Sequence, residues 1–282
     1  MTLNLDSNFK PVTGSEIKYE AFTFSGGEPH IRIEEFDISE LVIITHRVRT
    51  FNDLGLLSIA VDALRRLGAK EIELVLPYFP GARQDRVMTP GESLSVKVYA
   101  DIINGYGLKS ITIYDPHSDV TPALLNNCKA IDNHRFVAQI VKALPENLLL
   151  ISPDAGASKK IQKLARFLGL TDVLECGKKR EVKTGKLSGF TVPIEDLGER
   201  PCLIVDDICD GGGTFIGLGK ELKSKNSGPL FLAISHGLFS KGFDELLGIY
   251  DKIFTTDSFK DVDGGEFVIQ KSLADGLLSS LK

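Results

Sequence analysis

Six apolar runs of strand length constrain the fold of this chain more than any other feature. Each run is continuous rather than alternating with polar residues, which is typical of strands buried on both faces of a parallel sheet. Between the runs, segments 53–69, 93–107, 134–144 and 157–169 place apolar residues at helical spacing. This alternation predicts an α/β fold with mostly parallel sheets. The runs begin at Glu40, Glu71, Ser110, Asn147, Cys202 and Pro229.

The length of the chain and a break in its periodicity predict two domains. The chain has 282 residues, and the segment 126–134 carries no clear period. We expect two doubly wound domains, 1–131 and 132–282, with the last helix packing back on the N-terminal domain. In such sheets ligands bind beyond the carboxyl ends of the strands, so polar residues that follow the apolar runs are candidate site residues.

Composition excludes several classes of partner. A net charge of −5 argues against a nucleic acid held by bulk electrostatics. The N-terminus lacks a basic-then-apolar signal pattern, and no apolar run approaches the roughly 18 residues of a membrane span. The four cysteines have no paired C-x-x-C spacing, which predicts reduced thiols and a cytoplasmic protein without a membrane partner.

The segment 201–222, PCLIVDDICDGGGTFIGLGKEL, predicts a site for a phosphorylated, polyhydroxylated ligand. Its apolar run ends in two adjacent carboxylates, which can accept hydrogen bonds from sugar hydroxyls. Three glycines then leave backbone N–H groups open to a phosphate at the start of the next helix, where we expect Thr214 to cap the helix and contact the anion. The alternative is a strand-to-helix turn whose acids merely cap the helix.

This spacing resembles the phosphoribosyl diphosphate signature of type I phosphoribosyltransferases and ribose-phosphate pyrophosphokinases. The resemblance implies that Asp206 and Asp207 bind the ribose hydroxyls of ribose 5-phosphate. It assigns the 5-phosphate to the loop that follows, made up of Asp210, Gly211, Gly212, Gly213 and Thr214.

Four further segments resemble the ribose-phosphate pyrophosphokinase family in particular, and they occur in the family's order. LPYFPGARQDR (76–86) resembles PYFPYARQDR, with Gly81 in place of tyrosine, and ITIYDPHSD (111–119) resembles ITMDLHA. ISPDAGASKK (151–160) resembles SPDAGGAKR, and GKKREV (177–182) resembles a KKR-type catalytic loop. The resemblance implies two phosphoribosyltransferase-like domains. It also implies transfer of the β,γ-diphosphate of ATP to the anomeric hydroxyl of ribose 5-phosphate.

The family assigns the first of these segments to ATP, which implies nucleotide contacts by Arg83, Gln84 and Asp85. It also makes His117 and Asp154 residues of a magnesium site, with His117 at the ATP phosphates. Magnesium prefers oxygen ligands, so chemistry alone supports Asp154 and leaves His117 as a phosphate donor. The alternatives are a solvated loop with incidental charges and a structural histidine.

A basic, glycine-flanked stretch, ECGKKREVKTGKLSG (175–189), predicts a mobile hairpin or flap. By the family's K-x-R pattern, Lys178 and Arg180 are the catalytic residues that stabilise the transition state. Closing such a flap would bring two cations onto the developing negative charge and exclude water. A merely solvated basic hairpin is the alternative.

TFSGGEPHIRI (23–33) corresponds to a family element, FSDGE, that reaches a neighbouring subunit and contacts adenine. Phe24 and Glu28 match it, whereas Gly26 stands in place of an aspartate. We therefore expect looser base discrimination or weaker ATP binding. The resemblance implies a homo-oligomer, commonly a dimer-based hexamer. The segment VMTPGESLS (87–95) departs from the family's loop, so regulation by ADP and phosphate does not follow from the resemblance.

Two other functions remain open at this point. A phosphoribosyltransferase would explain the glycine loop, but it leaves ARQDR and KKR unexplained. A non-catalytic regulatory homologue would bind nucleotide and an active partner. The presence of Lys178, Arg180, His117 and Asp154 together with the acidic pair favours the enzyme.

Overall fold

The computed structural model describes residues 1–180 and 187–278, and of residues 179, 180, 187 and 188 it describes the backbone alone. The chain divides into two compact units. Unit 1 comprises Met1–Asp132 and Ser272–Lys282, and unit 2 comprises Asn133–Lys271. Each unit carries its own parallel sheet, so the predicted α/β class with mostly parallel strands is confirmed.

Unit 1 is built on a five-stranded parallel sheet in the order β1-β4-β5-β6-β7, with a separate antiparallel hairpin formed by β2 and β3. Its elements are β1 (Thr2–Asn4), β2 (Tyr19–Thr23), β3 (Pro29–Ile33), β4 (Leu41–Thr45), α1 (Phe51–Arg66), β5 (Glu71–Val75), α2 (Ser95–Asn104), β6 (Ser110–Tyr114), α3 (Val120–Leu124) and β7 (Cys128–Ile131).

Helix α1 shows how local sequence sets these boundaries. The Thr50 hydroxyl accepts a hydrogen bond from the Asp53 N–H, while the Asp53 carboxylate accepts one from the Thr50 N–H. This reciprocal capping satisfies donors that the first turn would otherwise leave unpaired. Five apolar side chains then face the core at helical spacing: Leu54, Leu57, Ala60, Val61 and Leu64.

Unit 2 is built on a six-stranded parallel sheet in the order β15-β14-β13-β12-β8-β9, with an antiparallel hairpin formed by β10 and β11. Its elements are α4 (His134–Val141), β8 (Leu149–Ser152), α5 (Ala155–Leu168), β9 (Val173–Glu175), β10 (Gly177–Arg180), β11 (Leu187–Thr191), β12 (Cys202–Cys209), α6 (Gly213–Ser224), β13 (Leu230–Gly237), α7 (Asp244–Leu247), β14 (Lys252–Thr256) and β15 (Val268–Lys271).

The central strands of unit 2 are apolar because both of their faces are covered. All eight residues of β13 are buried, and β12 is buried over its first four residues. Residues of these strands pack with Phe215, Leu218 and Leu222 of α6 in one apolar core. The packed core therefore fixes the position of β12, and with it the position of Asp206 and Asp207 in the second half of the strand.

Two segments differ from the sequence-based expectation. The segment without clear periodicity forms the edge strand β7, because pairing with β6 supplies the order that its sequence does not. The described residues 273–278 form turns rather than the expected last helix, and residues 279–282 lie outside the described residues. Leu273 and Leu277 are nevertheless buried. Of the helices among the described residues, none combines the length and apolar character required to cross a bilayer.

Candidate functional site

The acidic pair lies at the carboxyl end of β12, between the neighbouring strands β8 and β13. Asp207 is buried, and its backbone N–H donates to Asp206 Oδ1 at 3.0 Å. Burial and the adjacent charge of Asp207 raise the pKa of the Asp206 carboxyl well above its ordinary value. Two adjacent carboxyls offer several hydrogen-bond acceptors, so the pair is chemically suited to bind sugar hydroxyls.

The glycine loop after β12 leads directly into α6, as the sequence predicts. Gly212 is the N-cap residue of α6 and has φ +76°, a left-handed conformation that favours glycine. A methyl group on Gly213 would meet no atom within 4 Å, so the space beside this residue, at the positive end of the helix dipole, is open. The expected cap by Thr214 is wrong, because Gly212 takes that position and Thr214 is already inside the helix.

Asp154 and Lys178 form an ion pair that the sequence did not predict. Asp154 caps α5, where its Oδ1 accepts from the Ala157 N–H at 3.0 Å. Its Oδ2 lies 2.5 Å from Lys178 Nζ on β10. Burial opposes ionisation of Asp154, but the hydrogen bond and the charge of Lys178 outweigh it and hold the pKa of this carboxyl below its ordinary value.

Lys178 also links Asp154 to the acidic pair. Its positive charge acts against the raised pKa of Asp206, which lies on the strand adjacent to β8. The structure thus brings a lysine and carboxylates from two neighbouring strands to the carboxyl edge of the unit 2 sheet. The backbone of Arg180 pairs with Leu187 in the hairpin. The side chain of Arg180 lies outside the described residues, so its catalytic role stays a prediction.

In unit 1, Arg83 and Gln84 follow β5 and line a cavity of about 840 Å³. Phe51 and Tyr99 stack in its wall with ring centroids 5.1 Å apart. Gly81 has φ +72°, and a methyl group there would lie 3.0 Å from the Tyr99 ring. The Tyr99 ring therefore lies directly against Gly81. The remaining lining residues are Tyr78, Ser93, Ser95 and Val98.

Asp85 joins the loops that follow β5 and β6. Its side chain is 6% exposed and accepts from Arg86 Nε at 3.2 Å. Burial opposes its ionisation, but a hydrogen bond from Ser118 and the charges of Arg86 and His117 outweigh it, so the pKa of Asp85 is lowered. His117 is exposed beside it. Asp85 is thus engaged in holding the two loops together.

Phe24 and Glu28 lie in the turn between β2 and β3. The Phe24 N–H donates to the Glu28 carbonyl at 2.9 Å, which closes the turn. Phe24 is 52% exposed and contacts the rings of Phe22 and His30. A methyl group on Gly26 would lie 2.5 Å from Glu28 Oε2. The Glu28 carboxylate thus occupies the space that an aspartate at this position would need.

The carboxylates of unit 2 fit magnesium only if water and substrate phosphates supply the remaining donors. Asp154, Asp206 and Asp207 supply the hard oxygen donors that Mg²⁺ prefers. Over residues 1–180 and 187–278, however, no group of three or more His, Cys, Asp and Glu side chains is arranged to hold a metal ion. Such a donor set suits an ion whose shell is completed by water and substrate phosphates. Asp154 belongs to unit 2, whereas His117 belongs to unit 1.

Sequence reasoning missed two residues beside the glycine loop, Ser240 and Lys241. The Ser240 hydroxyl donates to Asp210 Oδ1 at 2.7 Å, and the Lys241 side chain lies against Gly211. The signal was present in the sequence, because both residues follow the apolar run of β13 by a few positions. Polar residues at that place were candidates by the same rule that selected Asp206.

Comparison with known proteins gives matches over most of the chain. Residues 12–107 match the family described as the N-terminal domain of ribose phosphate pyrophosphokinase. The ribose-phosphate pyrophosphokinase of Mycoplasma pneumoniae is 33% identical over 250 residues, which cover 83% of this chain and 74% of the relative. That of Mycoplasma genitalium is 31% identical over 284 residues, covering 94% and 83%.

A solved structure shares the fold. The phosphoribosylpyrophosphate synthetase from Mycobacterium smegmatis superposes with a TM-score of 0.82 and 22% sequence identity. The match covers 95% of this chain and 90% of the other.

Proposed function

Since the chain belongs to the ribose-phosphate pyrophosphokinase family, we propose that it transfers the β,γ-diphosphate of ATP to the anomeric hydroxyl of ribose 5-phosphate. The products are 5-phosphoribosyl 1-diphosphate and AMP. One observation carries the proposal. The acidic pair, the open glycine loop and the Lys178–Asp154 ion pair all occur at the carboxyl edge of one sheet.

Ribose 5-phosphate binds at the end of β12 in this proposal. Asp206 and Asp207 bind the ribose hydroxyls, because their adjacent carboxyls offer hydrogen-bond acceptors near the end of one strand. The 5-phosphate binds the loop from Asp210 to Thr214, because the start of α6 favours an anion.

ATP binds through Arg83 and Gln84, which line the cavity of unit 1. Arginine can bridge two phosphate oxygens or stack on a base. Asp85 contributes by holding the loop that carries these residues against the loop of His117. His117 is exposed and is assigned to the ATP phosphates and to the metal.

Phe24 and Glu28 of a neighbouring copy contact the adenine of ATP. The active form is therefore a homo-oligomer, built from dimers as in a hexamer. Phe24 offers a half-exposed ring. Glu28 supplies an acceptor in the space left by Gly26. We expect this replacement to loosen base discrimination without abolishing the reaction.

Asp154 would hold magnesium together with the substrate phosphates, and the ion would supply positive charge that neutralises the diphosphate group. Lys178 and Arg180 stabilise the charge that develops during transfer, which is the main catalytic demand of phosphoryl-type reactions. The anomeric oxygen attacks the β-phosphorus. The bond between that phosphorus and the oxygen that bridges the α- and β-phosphates breaks, and AMP leaves with this oxygen. The hydroxyl proton is released. The cytoplasmic location expected from the sequence stays a prediction.

The test is to incubate the purified protein with ATP, Mg²⁺ and ribose 5-phosphate and to follow AMP. Release of AMP that depends on the sugar supports the proposal. A protein that instead consumes phosphoribosyl diphosphate in the presence of a nucleobase would be a phosphoribosyltransferase. Nucleotide binding without AMP release would favour the regulatory homologue.

A further inference from the structure

We propose that Lys241 is a further phosphate-binding residue of the ribose 5-phosphate site, where its ammonium group pairs with the 5-phosphate on the glycine loop. This inference rests on the proposed function, because it concerns the same site. Lys241 lies on the loop that follows β13, the strand beside β12. No part of the resemblance to the family pointed to it.

The loop that carries Lys241 is fastened to the glycine loop by four hydrogen bonds. The backbone N–H groups of Leu238 and Phe239 donate to the Cys209 carbonyl at 2.9 and 3.1 Å. The Ser240 N–H donates to the Asp210 carbonyl at 3.1 Å, and its hydroxyl donates to Asp210 Oδ1 at 2.7 Å. These bonds therefore fix the position of the Lys241 backbone relative to the glycine loop.

Apolar packing also fixes the loop that carries Lys241. The Phe239 side chain is buried, and its ring lies 4.6 Å from that of Phe243. Phe239 has φ +43°, a conformation that L-residues rarely adopt. A conformation of this kind persists where surrounding contacts over-determine it, as the core contacts and the two bonds to Cys209 do here.

The side chain of Lys241 runs along the glycine loop. A methyl group on Gly211 would lie 3.5 Å from both Cδ and Cε of Lys241, which is ordinary van der Waals distance. The stem thus covers the loop at Gly211 while the residue remains exposed. From a stem in this position, we infer that the ammonium group of Lys241 can reach a phosphate bound on the glycine loop.

The negative charge around the glycine loop explains why a lysine at position 241 would favour phosphate binding. Asp206, Asp207 and Asp210 are clustered within five residues, so an incoming phosphate dianion meets negative charge on the strand side of the loop. Lys178 is held by Asp154. Lys241 places a compensating positive charge at the loop itself, where a charge-assisted hydrogen bond to phosphate strengthens binding.

The decisive variant is Lys241→Gln, with Lys252→Gln as the matched control. Lys252 is an exposed lysine of the same sheet, but it begins β14 at the edge opposite to the acidic pair. Binding of ribose 5-phosphate is measured by calorimetry without ATP, and AMP release is measured as a function of ribose 5-phosphate and of ATP. Both variants change the net charge equally. A difference between their affinities for ribose 5-phosphate therefore depends on where the lysine lies and not on the loss of one charge.

In Lys241→Gln we expect the affinity and the KM for ribose 5-phosphate to weaken by about 10- to 100-fold, the range of one hydrogen bond to a charged group. The turnover number and the KM for ATP should stay within about twofold, and Lys241→Arg should restore most of the affinity. Lys252→Gln should behave as the unaltered protein.

Unchanged ribose 5-phosphate affinity in Lys241→Gln, or an equal loss in Lys252→Gln, would overturn the inference and leave the proposed function standing. A protein that releases no AMP but binds ribose 5-phosphate in a Lys241-dependent manner would overturn the proposed reaction instead. Failure of the unaltered protein to bind ribose 5-phosphate would overturn both.

Discussion

Replacing Lys178 by alanine separates its catalytic role from its structural one. The substitution removes an ammonium group 2.5 Å from Asp154 Oδ2. Because the interaction assigned to Lys178 strengthens as charge develops, we expect turnover to fall by about 10²- to 10³-fold, the usual cost of losing one preorganised donor. The KM for ribose 5-phosphate should barely change, because the sugar contacts lie on β12 and the glycine loop.

The structure also bounds the cost in stability. The side chains of Lys178 and Asp154 are 19% and 29% exposed, so their ion pair lies between the surface case and the buried case. Asp154 keeps its hydrogen bond from the Ala157 N–H. We therefore expect a loss of about 1–2 kcal/mol. For a unit of this size that corresponds to a decrease in Tm of a few degrees, too small to explain a large loss of turnover.

The control for this experiment is Lys225→Ala. Lys225 is similarly buried, with 22% of its side chain exposed, and it pairs with Glu195 at 3.3 Å. It lies at the C-terminal end of α6, away from the glycine loop. Steady-state kinetics and thermal unfolding are measured on both variants. Turnover of Lys178→Ala within tenfold of the unaltered protein, or a matching rise in the KM for ribose 5-phosphate, would refute the reasoning.

Two further predictions concern unit 1. Asp6→Asn should destabilise the protein by about 3 kcal/mol, because it removes the carboxylate 2.7 Å from the Arg47 guanidinium, which is 2% exposed. Burial opposes ionisation of Asp6, but Arg47 outweighs it and lowers the pKa. The contribution of Asp6 to the free energy of unfolding is therefore present above about pH 4 and is lost as the pH falls further. The free energies of unfolding of Asp6→Asn and the unaltered protein, measured with denaturant, should therefore converge in acid. Gly81→Ala should lower Tm more than Gly68→Ala. Both glycines have positive φ, which costs roughly 1–2 kcal/mol in other residues, but only at Gly81 would the methyl group press on Tyr99. Equal changes in Tm would contradict the contact.

Much of the site was predictable because it depends on local sequence. A continuous apolar run predicts a buried strand whatever its neighbours are, and parallel strands present their carboxyl ends at one edge. Asp206 and Asp154 could therefore be placed at strand ends without a structure. The glycines after Asp207 likewise predicted an open turn into α6, because the conformational freedom of glycine is a property of the residue itself.

The partners of these residues were not predictable in the same way. Lys178 and Asp154 are brought together by a hairpin that returns to the sheet edge. Asp85 meets Ser118 across two loops. Nothing in periodicity reports such pairings, because they follow from strand order and loop path rather than from a repeat along the chain.

The sequence by itself thus determined the fold class, the positions of the strands and the chemical character of the residues at their ends. Only the tertiary structure decided which charges meet, which glycine caps α6 instead of Thr214, and that Lys241 lies along the loop at Gly211. The physical reason is range. Burial and backbone preference act on each residue through its nearest neighbours in sequence, whereas ion pairs and loop contacts join segments that are distant in sequence and adjacent only after packing.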